Sequence, residues 1–268
     1  MRLGRVLLFF VACAVLLAAT APFDRRIPGI PPGMLTGLVT SIGTFILTVV
    51  FVRWDRLRLD DVGAAIGKKS LPRFFAGFLL GLFLVVLHVS IEASAGHLRW
   101  VRADGVGFLD IALMLVTYIL LACREELAFH GYPLRRLNSL LGLWSSQIIV
   151  ALVFALEHVA GGSSWTQALF GAGVGSLLFG MASLATRGLA VPIGLHAAWN
   201  LGDWLHGGKA SGGLWRPVGL DVYSDRAERA AMIGYIVVMV AATFAFWLWQ
   251  RRVTLSASQR TDERASPL

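Results

Sequence analysis

Arg124-Glu125-Glu126-Leu127-Ala128-Phe129-His130-Gly131 sets two adjacent carboxylates at the end of a long apolar run. A carboxylate at membrane depth costs several kcal/mol unless it faces a wet cavity or a partner, so such residues are functional candidates by default. Two further polar groupings interrupt apolar runs downstream. Phe154-Ala155-Leu156-Glu157-His158 ends one run, and His196-Ala197-Ala198-Trp199-Asn200 lies in the middle of another. The three groupings together supply the acids, bases and amide of a hydrolytic site.

Composition fixes the solvent. Of 268 residues 56% are hydrophobic and only 15% charged, and the mean hydropathy is +0.69. A soluble domain of ordinary composition does not reach these values, so the chain reads as an all-α polytopic membrane protein. Its formal net charge of +8 comes from basic residues flanking apolar spans rather than gathered on one soluble face. They are topology signals, lipid is the surrounding partner, and nucleic acid is not expected as one. Cys13 and Cys123 both lie inside apolar segments, which suits small apolar filler and argues against a disulfide framework.

About eight transmembrane helices are expected. The first runs from Val6 to Ala19 and ends in Ala19-Thr20-Ala21-Pro22, where the proline disfavours signal cleavage, so it is read as uncleaved. Spans follow at about 34–52, 74–91, 107 to the Glu pair, 142–158, 167–185, 189–205 and 230–249. The fourth helix is expected to continue past the Glu pair, with a kink at Pro133. Gly77 and Gly81 stand at the spacing that admits a close neighbour, and Gly171, Gly175 and Gly180 suggest that the sixth span is tightly packed. The chain divides into residues 1–105 (amino-terminal spans and a basic loop, 53–73), residues 106–206 (a core of four helices) and residues 207–268 (an outer loop, the last span and a polar tail expected to be disordered). With the amino terminus inside, the inner segments hold 16 of the 24 Lys and Arg, which places both termini in the cytoplasm.

Residues four apart share a helix face, so Glu126 with His130, Phe154 with His158, and His196 with Asn200 are each same-side pairs. Each grouping can therefore aim one polar set inward. Plainer roles fit other positions. Phe154, Phe129 and Trp199 suit packing, Glu157 suits a hydrogen bond to a neighbour, and His88 with Glu92 suits an interfacial helix-end pair. Asp203, one turn beyond Asn200, either lines the same cavity or meets water at the helix end.

In this order and spacing the three groupings resemble the CAAX prenyl endopeptidase family, also called CPBP intramembrane proteases, which is marked by EExxxR, FxxxH and HxxxN or HxxxD on successive core helices. The resemblance spans roughly residues 111–205, with Glu125-Glu126, then Phe154 and His158, then His196 and Asn200. The departure is His130, where the family has arginine. A histidine is shorter, need not be charged and cannot form a bidentate fork with a carboxylate.

The resemblance implies peptide hydrolysis in the membrane plane. Glu125 and His158 would activate a water, His196 and Asn200 would stabilise the tetrahedral oxyanion, and Glu126, His130 and Phe154 would support them. No cofactor is needed for such a glutamate mechanism. Glu125, His158 and His196 are also a three-ligand set of the kind that holds catalytic zinc with one position left for water, although there is no HExxH. The metal-free scheme is favoured because Asn200 has an oxyanion role and no usual role on zinc. The implied substrate is a membrane-associated peptide or protein, of the prenylated CAAX type or lipoprotein-like, and the implied setting is a bacterial inner membrane. The competing reading is a non-catalytic relative that binds a peptide or bacteriocin, confers immunity or acts as a scaffold. A proton-coupled transporter is a weaker third. One tension stands within the sequence: at about 1.5 Å per residue, Glu125, His196 and His158 start about 20, 13 and 24 Å from their nearest inner turns, so straight untilted helices would not bring them together.

Overall fold

A computed structural model describes residues 2–26, 29–96, 98–209, 213–218 and 224–265. Its helices are α1 (Arg2–Thr20), α2 (Met34–Trp54), α3 (Ser70–Gly96), α4 (Phe108–Glu125), α5 (Tyr132–Leu141), α6 (Leu143–Ala160), α7 (Val174–Ala185), α8 (Ala190–Leu205) and α9 (Ser224–Ala265). Two π-helical segments, Glu126–Gly131 and Gln167–Gly173, lead into α5 and α7. Two short strands, β1 (Arg99–Arg102) and β2 (Trp215–Val218), pair antiparallel with Arg99 opposite Val218.

The molecule is apolar outside as well as inside. Leu7, Phe75, Leu79, Phe83, Ile148 and Ile233 all stand more than half exposed, which suits hydrocarbon and not water. Six helical stretches are long and apolar enough to cross a membrane, and the protein is an integral membrane protein. The expected fourth and seventh spans are helices at the expected places, but fall outside that set for a physical reason. Helix α4 carries Asp110, Arg124 and Glu125, and α8 has 16 residues, about 24 Å against a hydrocarbon core of about 30 Å. Helix α8 is shielded from lipid by other helices, and the buried face of α4 holds Arg124 and Glu125. Ten residues of α8 are buried, against three of α1.

Glycine sets the position of α8. Its Gly194 lies on the backbone of α3 at Phe74, while Gly77 of α3 lies on the carbonyl of Val191. A Cβ at Gly81 would come within 2.6 Å of the Leu195 carbonyl. The glycines at 77 and 81 therefore bring two backbones into contact just before His196, so the close approach read from the sequence is real and its partner is the site helix. A second packed region joins α1, α2, α5 and α6, where the Phe9 ring lies 5.2 Å from both Phe51 and Tyr132.

The break after α4 comes earlier than the Pro133 kink expected for it. Pro133 sits in the first turn of α5, and the preceding six residues widen into a π segment. Widening of this kind strands backbone carbonyls, which in a membrane must find partners inside the protein. The His130 carbonyl accepts from Arg135 Nη1 at 2.6 Å and from Ser183 Oγ at 3.0 Å. In the second π segment the Gly171 carbonyl accepts from Tyr235 Oη at 2.7 Å.

Two expectations, on the tail and on His88 with Glu92, are corrected. The polar tail, read as disordered, continues α9 as helix to Ala265, with 266–268 outside the described residues. The outer loop contributes β2 and a turn that reaches the site; its residues 210–212 and 219–223 lie outside the described residues, as do 27 and 28 of the first loop. His88 and Glu92 are buried rather than interfacial.

Beyond the last turn of α2, Asp55 ties three elements together. It accepts from Arg5 and from Tyr132 Oη at 3.0 Å and forms an ion pair with Arg136, whose Nε lies 2.7 Å away, with its side chain 1% exposed. Burial pushes its carboxyl pKa up, but Arg5, Tyr132 and Arg136 outweigh that and hold it below the ordinary value. A lowered folded-state pKa adds stability that is complete above the unfolded value of about 3.9 and is lost as pH falls through the folded one. Asp55→Asn should therefore cost roughly 3–5 kcal/mol at pH 7, and its deficit against wild type should shrink as pH falls below about 4. Thermal unfolding of both proteins in detergent at a series of pH values checks this.

Candidate active site

All four residues expected to act on substrate line one cavity of about 570 Å³. Glu125 comes from the last residue of α4, His158 from the last turn of α6, and His196 and Asn200 from successive turns of α8. The depth mismatch is resolved by geometry. Helix α4 stops at the π segment instead of running on, and α8 is drawn against α3 by the glycine contacts.

A chain of hydrogen bonds runs beneath the cavity wall. Glu126 has no exposed surface, and both of its oxygens are taken by imidazoles: Oε2 lies 2.8 Å from His130 Nδ1, and Oε1 lies 2.9 Å from His196 Nδ1. A carboxylate only accepts, so the tautomers assigned from this network place a proton on Nδ1 of each ring. His130 Nε2 then accepts from Ser176 Oγ at 2.9 Å. His196 Nε2 is turned toward Glu125 Oε2, 3.4 Å away. The bond from Glu126 to His130, one turn on, is present, and Glu126 bonds His196 as well.

Glu125 is held from the other side by Arg124, whose Nη2 donates to Oε1 at 2.7 Å while Nη1 donates to Glu157. The guanidinium is buried between two carboxylates. Glu157 thus has the neighbour's hydrogen bond expected of it, and the neighbour is the residue before the Glu pair.

The aromatic residues fix ring planes. Phe154 lies 4.5 Å from the His158 ring and 4.9 Å from Phe129. Phe179 stacks on His196 at 4.1 Å and 13°. His158 Nδ1 donates to the Phe154 carbonyl at 2.9 Å, which leaves Nε2 as the nitrogen free to reach a water or substrate. The wall also holds Tyr118, Leu121 and Trp199, an apolar lining beside the polar set.

Asn200 is oriented by a residue that sequence reasoning passed over. Lys209 Nζ donates to Asn200 Oδ1 at 3.1 Å and pairs with Asp203 Oδ2 at 3.3 Å. With Oδ1 occupied, the amide N–H₂ is the end left to donate. Arg124, Ser176 and Lys209 are the functional neighbours missed. Arg124 was legible only as a topology charge, although its place beside two glutamates was a signal. Ser176 and Lys209 carried none, because both reach the site from another element.

As for a metal at this site, Glu125, His158 and His196 do not bring one ligand atom each within 4.8 Å of one another. His196 Nδ1 is already spent on Glu126, which leaves its Nε2 alone for a ligand.

Arg124→Met should leave Glu125 and Glu157 as unpaired buried carboxylates and destabilise the protein by roughly 3–5 kcal/mol. Adding Glu157→Leu should recover part of that loss, giving a coupling above about 1 kcal/mol in a double-mutant cycle read by thermal unfolding.

Residues 107–202 match the family model described as Rce1-like, type II CAAX prenyl endopeptidase. No curated protein matches the chain. The matched stretch begins at the start of α4 and ends in α8, so it carries Glu125, Glu126, His130, Phe154, His158, His196 and Asn200. It leaves out α1 to α3, Lys209 and α9. By that match, the stretch from α4 into α8 of this integral membrane protein is similar to the type II CAAX prenyl endopeptidases of the Rce1-like family.

Proposed function

We propose that the protein is an intramembrane endopeptidase that hydrolyses a peptide bond of a membrane-associated substrate, with a prenylated CAAX-like peptide as the first candidate, through a water activated by Glu125 and His158. The observation that carries this reading is Glu125 itself, a carboxylate fixed by Arg124 yet facing a cavity it shares with His158, His196 and Asn200. A carboxylate held only for structure would have no need of that opening.

Water is held between a Glu125 oxygen and His158 Nε2. Glu125 takes one proton as the water oxygen bonds to the scissile carbonyl carbon, whose π electrons move onto oxygen. That oxyanion faces the Asn200 amide N–H, and His196 Nε2 joins it as a donor once the ring is doubly protonated; a donor of this kind is worth about 2.7–4 kcal/mol by comparison with other oxyanion holes. Collapse breaks the C–N bond, and the proton carried by Glu125 passes to the leaving amine. The residues of this chain supply every proton transfer. The Phe154, Tyr118 and Trp199 side of the cavity suits an apolar chain on the substrate. His130 in place of the family arginine acts at one remove, through Glu126, while Arg124 supplies the positive charge beside Glu125.

Purified protein in detergent should cleave a fluorogenic prenylated peptide, and Glu125→Gln should lower kcat by about 10²–10⁴-fold at unchanged folding, with Asn200→Ala lower by about 10²–10³-fold. Cleavage that survives Glu125→Gln would contradict the mechanism. Absence of cleavage across prenylated and unprenylated panels, with tight binding of the peptide retained, would favour a binding or immunity role.

A further inference from the structure

Outside the residues that match the family lies a second polar cluster. His88 and Glu92 are one turn apart near the end of α3, and His206 follows the last residue of α8. One ligand atom from each lies within 4.8 Å of the others, and among the described residues this is the His/Cys/Asp/Glu set that converges so closely.

Three observations point to a ligand rather than to packing. His88 and Glu92 are 6% and 8% exposed, yet His88 Nδ1 and Glu92 Oε2 have no hydrogen-bond partner among the described residues, and His206 Nε2 has only the ion-pair approach of Asp203 Oδ1 at 3.3 Å. A buried polar atom left unpaired costs about 1–3 kcal/mol, so two such atoms on residues whose ligand atoms converge within 4.8 Å call for a shared partner. The tautomer of His88 is also set: its Nε2 lies 3.0 Å from the Ala231 carbonyl, which only accepts, so Nε2 carries the proton and Nδ1 presents a lone pair. Metal-bound histidines are oriented in this way, the far N–H held by a carbonyl or carboxylate. The spacing is permissive. An ion at the centre of a triangle with 4.8 Å edges would sit about 2.8 Å from each atom, so movements under about 1 Å reach the usual zinc distances of 2.0–2.2 Å.

We propose that His88, Glu92 and His206 form a binding site for a divalent transition-metal ion of the zinc class, held by two imidazoles and one carboxylate, beside the cavity whose wall His88 lines. Two neutral nitrogens and one oxygen suit zinc and its neighbours rather than calcium or magnesium. The ion would fasten α3 to the end of α8. His206 Nε2 lies 3.3 Å from Asp203 Oδ1, and Asp203 holds Lys209, which orients Asn200. The His88 ring lies 5.5 Å from Trp199. The ion is thus a brace for the Asn200 side of the cavity, with Asp203 and Lys209 standing between its ligand His206 and Asn200. The site stands whether or not the proposed peptidase reading is right, because its test reads metal and not cleavage.

The full chain in detergent would be stripped with chelator, loaded with Zn(II), freed of excess and assayed for bound zinc. Loading with Co(II) in parallel would report coordination through visible absorption. One zinc per chain is expected in wild type and in Glu125→Gln, with a rise in unfolding temperature on loading. Glu92→Gln and His206→Asn should each lose the zinc, the Co(II) bands and the thermal shift. His206 is the less buried of the two, so its variant keeps the test valid should Glu92→Gln fail to fold. No stoichiometric zinc in wild type, or zinc kept by both variants, would overturn the proposal. So would zinc lost from Glu125→Gln alone, which would place the ion in the other cluster.

Discussion

Glu126 is a carboxylate with no exposed surface, and its ion-pair partners are two imidazoles rather than an arginine or lysine. Both oxygens must be satisfied within the protein, since an unpaired buried charge costs more than the fold can absorb. That requirement joins the π break after α4 to α8 and sets one ring nitrogen of His130 and of His196. It also turns His196 Nε2 toward Glu125. The rest of the architecture keeps those partners in reach. Glycines at 77, 81 and 194 let α8 approach α3, and Arg135 with Ser183 satisfies the carbonyl that the break exposes.

The two glutamates differ because their surroundings differ. Glu125 has a cavity on one side and Arg124 on the other, so it is held by a guanidinium and still borders the cavity. Glu126 is sealed behind it. Adjacent residues on a helix point about 100° apart, and the π segment that begins at Glu126 widens the backbone just where one carboxylate must face the cavity and the other the core. The same division recurs on α8, where His196 is reached from within the bundle and Asn200 is set by Lys209 from the outer turn.

Much of this was legible in the sequence, because apolar length and a few misplaced polar residues are strong signals in a membrane protein. The spans expected at 34–52, 74–91 and 189–205 are α2, α3 and α8 to within a few residues, and the three polar groupings share one cavity. What was not legible came from contacts between distant segments. Lys209 stands in a loop of no evident pattern, Ser176 in a small-residue helix, and the β1–β2 pair joins strands more than a hundred residues apart. The tail after Arg251 is polar enough to suggest disorder, yet its helix is a continuation of an apolar one, and no helix-breaking proline precedes Pro267. His88 and Glu92 read as a surface pair because their third partner, His206, is over a hundred residues away.

The claim that Glu126 organises the site through both imidazoles is open to one direct measurement: histidine proton and nitrogen NMR on the detergent-solubilised protein, whose six histidines make assignment by substitution practicable. Two strongly downfield Nδ1–H signals are expected, from His130 and His196, and Glu126→Gln should remove or shift both together while Glu125→Gln leaves the His130 signal in place. Signals that respond independently, or that persist in Glu126→Gln, would contradict the account.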